Sequence, residues 1–284
     1  MKLKTTYSIL TACLFYFGSQ AYAGTPIAVM QFNLHNIVFT NGNAYKETDL
    51  MNQGDPKNGI PQYDLIMTEE NSTPNGDPRN LLNFGLNPLK YALCGTIQDA
   101  SLFYNFHRWK CDHTITFDVI PNVGPGAGPR RVTVGILLPQ TPASDPVILA
   151  ATSHWCVPWG SSTCQGGNTQ AAHDKDAATF SAQLATLIKQ YPKALVIFGG
   201  DLNSMSPPES SELVAKMQSY GYDTANPYDT NHKLIPTMGG TPDLIFYRKS
   251  SLDKSATLTL DTSFINDMQH LSDHYGAVIA KFSY

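Results

Sequence analysis

Apolar residues recur along this chain in short runs, and most runs end on a polar side chain. Runs with the length and β-branched or aromatic content of strands fall at 27–34, 64–68, 101–106, 114–120, 131–138, 147–152, 194–198, 243–247 and 276–282. Two stretches read as helices. Residues 171–190 carry Ala, Phe, Leu and Ile at helical spacing and stop before Pro192, while Pro207 and Pro208 open a second helix over 209–220, closed by Gly221. The Gly- and Pro-rich stretch 122–129 reads as a hairpin connection, and no internal repeat is visible. Many strands with few helices predict an α+β fold, with two stacked sheets and helices outside them.

The first apolar run is of another kind. It covers about residues 7–18, follows the basic Lys2 and Lys4, and precedes Ala21-Tyr22-Ala23. A basic start, a short apolar stretch and a small-x-small site describe a secretory signal peptide over 1–23, and the run is too short for a membrane span. The expected mature chain, 24–284, is exported, to the periplasm or beyond. Its roughly 260 residues fill one large sheet domain. Loss of Lys2 and Lys4 moves the formal charge from −4 to about −6, a poor electrostatic match for nucleic acid or anionic lipid unless a bound metal offsets it. Cys94, Cys111, Cys156 and Cys164 remain, and four cysteines in an exported chain point to two disulfides. Three pairings exist, of which proximity favours Cys94–Cys111 and Cys156–Cys164. The absence of C-x-x-C spacing argues against zinc.

Six strand-like segments end in side chains suited to chemistry. In order they present Asn33, then Glu69 and Glu70, His154, Asp201 with Asn203, Asp243, and Asp273 with His274. Each alone reads equally well as a turn former, a helix cap or an ordinary surface group. Gathered at one sheet rim they would line a pocket with carboxylates, amides and imidazoles. Carboxylates and amides are hard oxygen ligands for Mg²⁺ or Mn²⁺, and imidazoles exchange protons near neutral pH.

The order Asn33, Glu70, His154, Gly200-Asp201-Leu202-Asn203, Asp243 and Ser272-Asp273-His274 resembles the signature of the endonuclease/exonuclease/phosphatase superfamily. The resemblance implies a four-layer α/β/β/α sandwich of two mixed sheets, the deoxyribonuclease I-like fold. It also implies a Mg²⁺- or Mn²⁺-dependent phosphoric ester hydrolase. On this resemblance Glu70 and Asp273 are metal ligands, with Asn33 at or beside the ion. His274 is the general base, oriented by Asp243. His154 binds the phosphate and assists the leaving group, Asp201 aligns the nucleophile, and Asn203 binds a phosphoryl oxygen. Asp99 and Arg131 fall where the family's nucleases carry an acid supporting the first histidine and a phosphate-contacting arginine, although a strand-face salt bridge serves either residue equally well. The chain departs from the family at Thr68-Glu69, where an apolar residue and an amide usually precede the metal-binding Glu, so Glu69 competes with Glu70 for that role.

The motifs name the chemistry and leave the substrate among classes. A nuclease is the first expectation, ahead of a sphingomyelinase-type phospholipid phosphodiesterase and an inositol-phosphate phosphatase. A catalytically silent binding module is set against these, and the presence of both His154 and His274 opposes it. A phosphate ester is the expected partner and a monomer the expected state. Trp155 and Trp159, within a loop closed by Cys156 and Cys164, are expected at the pocket rim, to stack a base or meet a lipid headgroup. Packing of both tryptophans onto the domain is the competing reading.

Overall fold

The computed structural model describes residues 25–35, 38–72, 76–120, 130–141, 145–155, 169–238, 240–268 and 271–284. The expected signal peptide, the 122–129 connection, Trp159, Cys156 and Cys164 lie outside the described residues. The strands are β1 (Ile27–Asn33), β2 (Leu65–Glu69), β3 (Tyr91–Cys94), β4 (Ser101–Asn105), β5 (Trp109–Ile120), β6 (Arg130–Pro139), β7 (Ile148–His154), β8 (Leu195–Asp201), β9 (Asp223–Thr224), β10 (Asp243–Tyr247), β11 (Thr259–Asp267) and β12 (Gly276–Ser283). The α-helices are α1 (Val38–Asn41), α2 (Asn43–Gln53), α3 (Thr169–Gln190) and α4 (Pro207–Ser219). The sequence reading anticipated α3 and α4 and missed α2.

Two six-stranded mixed sheets stack face to face, in the orders β11-β12-β1-β2-β4-β3 and β5-β6-β7-β8-β10-β9. The inter-sheet core includes Val29, Met67, Leu102, Ile197, Ile245 and Val278. A second core packs Phe180, Leu184 and Leu213, from α3 and α4, against Val134, Val196 and Phe198 of the second sheet. A third gathers Met51 of α2 with Met30, Phe32, Phe103 and Ile279 of the first sheet. The layers therefore run α/β/β/α, as the resemblance implied. Cys94 and Cys111 form a disulfide that ties β3 at the edge of one sheet to β5 at the edge of the other.

Topology places the polar strand ends together. β1 runs parallel to β2, and β7 runs parallel to β8. β12 is antiparallel to β1 and β10 is antiparallel to β8. The ends of β1, β2, β7 and β8 and the starts of β10 and β12 therefore share one rim. Side chains alternate along a strand, so one face is read at every second residue. Along the inner face Ile27 and Val29 lead to Gln31 and Asn33, Leu65 and Met67 lead to Glu69, and Ile148 and Ala150 lead to Thr152 and His154. Apolar residues fill the middle of the sandwich and polar ones its mouth.

Gly199 lets the sheets close there. A Cβ at this position would stand 2.6 Å from the Met67 sulfur and 3.2 Å from Gln31 Cγ in the facing sheet. The strand thus continues through Gly199 and Gly200 to Asp201, three residues beyond the predicted end.

Candidate active site

At the rim two carboxylate–imidazole pairs point inward from opposite sides. His274 Nδ1 is 2.6 Å from Asp243 Oδ2, and His154 Nδ1 is 2.8 Å from Asp99 Oδ2. Both Nε2 atoms lie 3.6 Å from the same oxygen, Asp201 Oδ2. His154, His274 and Asp201 are at most 5 % exposed. Each Nδ1 faces its carboxylate, which leaves both Nε2 atoms for the space around Asp201.

Burial opposes protonation of His274, but Asp243, its hydrogen bond, Asp201 and Asp273 outweigh burial and lift the pKa to about 10. His154 is raised as well, with burial and the charge of Arg130 overcome by Asp99 and Asp201. Against a desolvation cost, His154 and Arg130 hold the Asp99 carboxyl down at about 2. A cation held at Asp201 would oppose the rise at His274.

A buried network underlies these pairs and joins the sheets. Gln31 Nε2 donates to Glu69 Oε2 at 2.8 Å and to Asp243 Oδ1 at 3.0 Å. Thr152 Oγ1 donates to Glu69 Oε1 at 2.8 Å, and Thr237 Oγ1 donates to Asp243 Oδ2 at 2.5 Å. Glu69 is fully buried, and burial with the nearby Asp243 and Asp201 pushes its carboxyl well above the usual range. Glu70 lies just past the strand with φ 56°, a left-handed turn that brings it to the mouth. The structure so separates the two competing acids, Glu69 sealed below and Glu70 at the opening. Asn33 Nδ2 donates to Glu70 Oε1 at 3.2 Å and to Asp201 Oδ2 at 2.7 Å, while its oxygen accepts the His35 N–H. Asp273 sits at the rim, 3.3 Å from His35 Nδ1.

Oxygen donors predominate. Atoms of Glu70, His154 and Asp201 lie within 4.8 Å of one another, as do atoms of Asp201, Asp243 and His274. Close-set acids with few cations fit a divalent ion. Glu70 and Asp201 are the carboxylates of the first group and would hold one, whereas Asp273, a ligand on the resemblance, lies in neither group.

Several sequence expectations are corrected. Arg131 is not at the site. It pairs with Asp118, its cross-strand partner in β5, on an exposed surface at 3.1 Å. The guanidinium at the site belongs to Arg130, whose Nη1 donates to Asp99 Oδ2 at 2.9 Å and lies 3.0 Å from His154 Nδ1. Asp99 supports His154 and is not placed as a substrate contact. Trp155 is not at the rim. It is fully buried, with its ring 6.1 Å from that of Phe198, because it alternates with His154 and so faces the helical layer. Asn203 Nδ2 donates to the Trp155 carbonyl at 3.2 Å.

No protein-family model matches the sequence, and no curated protein sequence matches it. Solved structures do. An endonuclease/exonuclease/phosphatase family protein from Bacteroides thetaiotaomicron superposes with a TM-score of 0.61 at 15 % identity, over 93 % of this chain and 97 % of that one. The chain has the endonuclease/exonuclease/phosphatase fold. The same fold aligns with D. rerio TDP2 in complex with a single-stranded DNA product, at TM-score 0.57 and 15 % identity over 91 % of this chain and 99 % of that one. It also aligns with sphingomyelinase C from Streptomyces griseocarneus, at TM-score 0.57 and 13 % identity over 90 % and 99 %.

Proposed function

We propose that this chain is a divalent-metal-dependent phosphodiesterase that cleaves nucleic acid by attack of water on phosphorus. The observation that carries the reading is the pair of imidazoles, each oriented by its own carboxylate and both aimed at Asp201 Oδ2 from 3.6 Å. Hydrolysis of a phosphate ester needs one proton removed from water and one delivered to the leaving oxygen, and two opposed, oriented imidazoles provide both functions. His274, backed by Asp243, takes the proton from water. His154, held protonated by Asp99, donates to the phosphoryl or leaving oxygen. Asp201, between them, orients the water. Arg130 keeps Asp99 ionised and places positive charge beside the phosphate. A divalent ion at Glu70 and Asp201 would supply the charge that stabilises the phosphate oxygens. The buried Gln31–Glu69–Thr152 network fixes the distance between the two sheets, and with it the separation of the imidazoles.

Support for a nucleic-acid substrate comes from the fold shared with TDP2, which is held in complex with a DNA product. We also read the chain as exported. The N-terminal pattern of Met1 to Ala23 is that of a signal peptide, and the Cys94–Cys111 bridge is the bond an oxidising compartment preserves. The test is a panel of plasmid DNA, single-stranded DNA, RNA, sphingomyelin and inositol phosphates, each with Mg²⁺ or Mn²⁺ and with chelator. The proposal expects metal-dependent cleavage of nucleic acid. Turnover confined to sphingomyelin would overturn the substrate assignment alone, whereas turnover confined to phosphomonoesters would overturn the phosphodiesterase reading as well.

A further inference from the structure

At the end of the first sheet opposite the active site, a cavity of about 280 Å³ lies beside the starts of β1 and β2 and the end of β12. Ala28, Gln62, Asp64, Lys90, Arg108 and Lys281 are among the residues that line it. None of the residues given a catalytic or metal-binding role does. Ala28 and Asn33 both lie on β1, and roughly 17 Å of extended strand separates them.

The charges around this cavity do not balance. Arg108 is fully committed within the protein. Its Nη1 donates to Asp64 Oδ2 and to the Pro26 carbonyl, each at 2.9 Å. Its Nη2 donates to the Thr25 carbonyl at 2.7 Å and to Asp145, and its Nε donates to Asp145 Oδ1 at 3.1 Å. Asp64 is committed too, because Oδ2 also accepts the Ala28 N–H at 3.0 Å and Oδ1 accepts Asn105 Nδ2 at 3.2 Å. Lys90 and Lys281 remain, and among the described residues neither forms an ion pair. Lys90 Nζ donates to Gln62 Oε1, and Lys281 Nζ donates to the Gly59 carbonyl at 3.3 Å. An ammonium has three hydrogens, so each lysine keeps two.

Lys90 is the more telling of the two, because it is only 7 % exposed. An ammonium taken out of water without a carboxylate beside it is costly. Burial pushes its pKa down to about 8; Asp64 opposes that fall and Arg108 adds to it, and at neutral pH the group is still charged. A buried cation without a counter-ion, facing a cavity, is suited to an anion that enters from outside.

We propose that this cavity binds a phosphate dianion, free or as a monoester, between Lys90 and Lys281. Four uncommitted N–H donors on two ammonium groups complement an oxyanion of two charges, and the anion supplies the counter-charge that Lys90 lacks. Arg108, neutralised by Asp64 and Asp145, holds the wall in place and does not compete for the ligand. The site stands apart from the reaction proposed above and does not depend on it.

The test is a calorimetric titration of the whole chain, kept free of metal by chelator, with inorganic phosphate and with glycerol phosphate. Three variants are compared with the wild type. Lys90→Met keeps the length of the side chain without its charge, Lys281→Gln removes the second ammonium, and His154→Ala strips a phosphate-binding group from the active site. Thermal unfolding checks that each folds, and Lys281→Gln, at a half-buried position, keeps the test decisive should Lys90→Met not fold. Each lysine substitution removes charge-assisted contacts and should raise the phosphate Kd by at least about tenfold, while His154→Ala stays within about threefold. Binding of glycerol phosphate as well would extend the ligand to monoesters, and its exclusion would restrict the site to the free ion. A wild type that binds no phosphate in the millimolar range, or a smaller rise than this in either folded lysine variant, overturns the assignment. Loss of binding in His154→Ala alone would place the phosphate in the active site and overturn it equally.

Discussion

Asp243→Asn is the substitution for which the structure makes the most detailed demand. Asp243 is fully buried and accepts from His274 Nδ1, Thr237 Oγ1 and Gln31 Nε2. An amide cannot serve all three. With its NH₂ towards His274 it meets an N–H donor, and the imidazole must move its proton to Nε2, where it can no longer accept one from water. With its NH₂ towards Gln31, two amide donors face each other. Either way a buried donor is left unpaired, at a cost of about 1–3 kcal/mol. The loss of the carboxylate also removes the largest cause that raises the His274 pKa. A pKa of about 10 in the folded chain against an ordinary 6.5 corresponds to stabilisation of up to about 5 kcal/mol, shared among the three acids. Because the folded pKa is the higher one, that stabilisation is complete below about pH 6.5 and is lost as pH rises through about 10. Urea unfolding of the metal-free variant should therefore show a deficit of several kcal/mol at pH 6 that shrinks towards 1–3 kcal/mol above pH 10. With metal restored, kcat should fall at least about a hundredfold, and as far as the roughly 10⁴-fold seen when a triad aspartate becomes Asn. A stability deficit that does not change with pH, or a kcat within about tenfold of wild type, would refute the assignment of Asp243 as the group that orients His274.

Other substitutions separate neighbouring residues. Arg130→Ala removes a charge-assisted bond worth about 1.5–3 kcal/mol and should lower kcat/KM by about 10- to 100-fold, whereas Arg131→Ala should stay within about twofold; the reverse order would place the wrong arginine at the site. Glu70→Gln should raise the metal concentration needed for half-maximal activity by at least about tenfold, while Glu69→Gln, at a residue sealed below the mouth, should change it by less than about threefold. Replacing Cys94 and Cys111 by Ser removes a bridge across a sequence separation of 17, and should cost about 3 kcal/mol in unfolding experiments with kcat little changed.

Much of this was legible in the sequence because alternation is a local signal. Nine strands were visible as apolar runs, and the residues at their ends proved to share a rim. What escaped did so for identifiable reasons. β11 lies at a sheet edge and is largely polar and exposed, so it lacks an apolar run. β3 is only four residues long, and α2 buries Glu47 and Thr48 beside Ala44 and Met51, which blurs its helical stripe. β8 seemed to stop at Phe198 because Gly199 and Gly200 look like breakers, whereas close approach of the facing sheet requires Gly199. Trp155 could have been placed in the core by counting one residue from His154. The choice of Arg130 over Arg131 follows from the cross-strand pairing of Arg131 with Asp118, and nothing in the sequence announces it. Asp99 meets His154 through the stacking of the two sheets, a tertiary fact that the resemblance implied and the residues alone did not.

The central claim, a metal-dependent attack on a phosphodiester by paired imidazoles, is tested most directly on a simple chromogenic substrate. The protein is freed of metal, and release of nitrophenol from bis(p-nitrophenyl) phosphate is followed before and after Mn²⁺ or Mg²⁺ is restored. Wild type and His274→Ala are run side by side. The account predicts negligible turnover without metal, recovery of at least about a hundredfold with it, and no such recovery in His274→Ala. Equal turnover in excess chelator, or full recovery in His274→Ala, would contradict it.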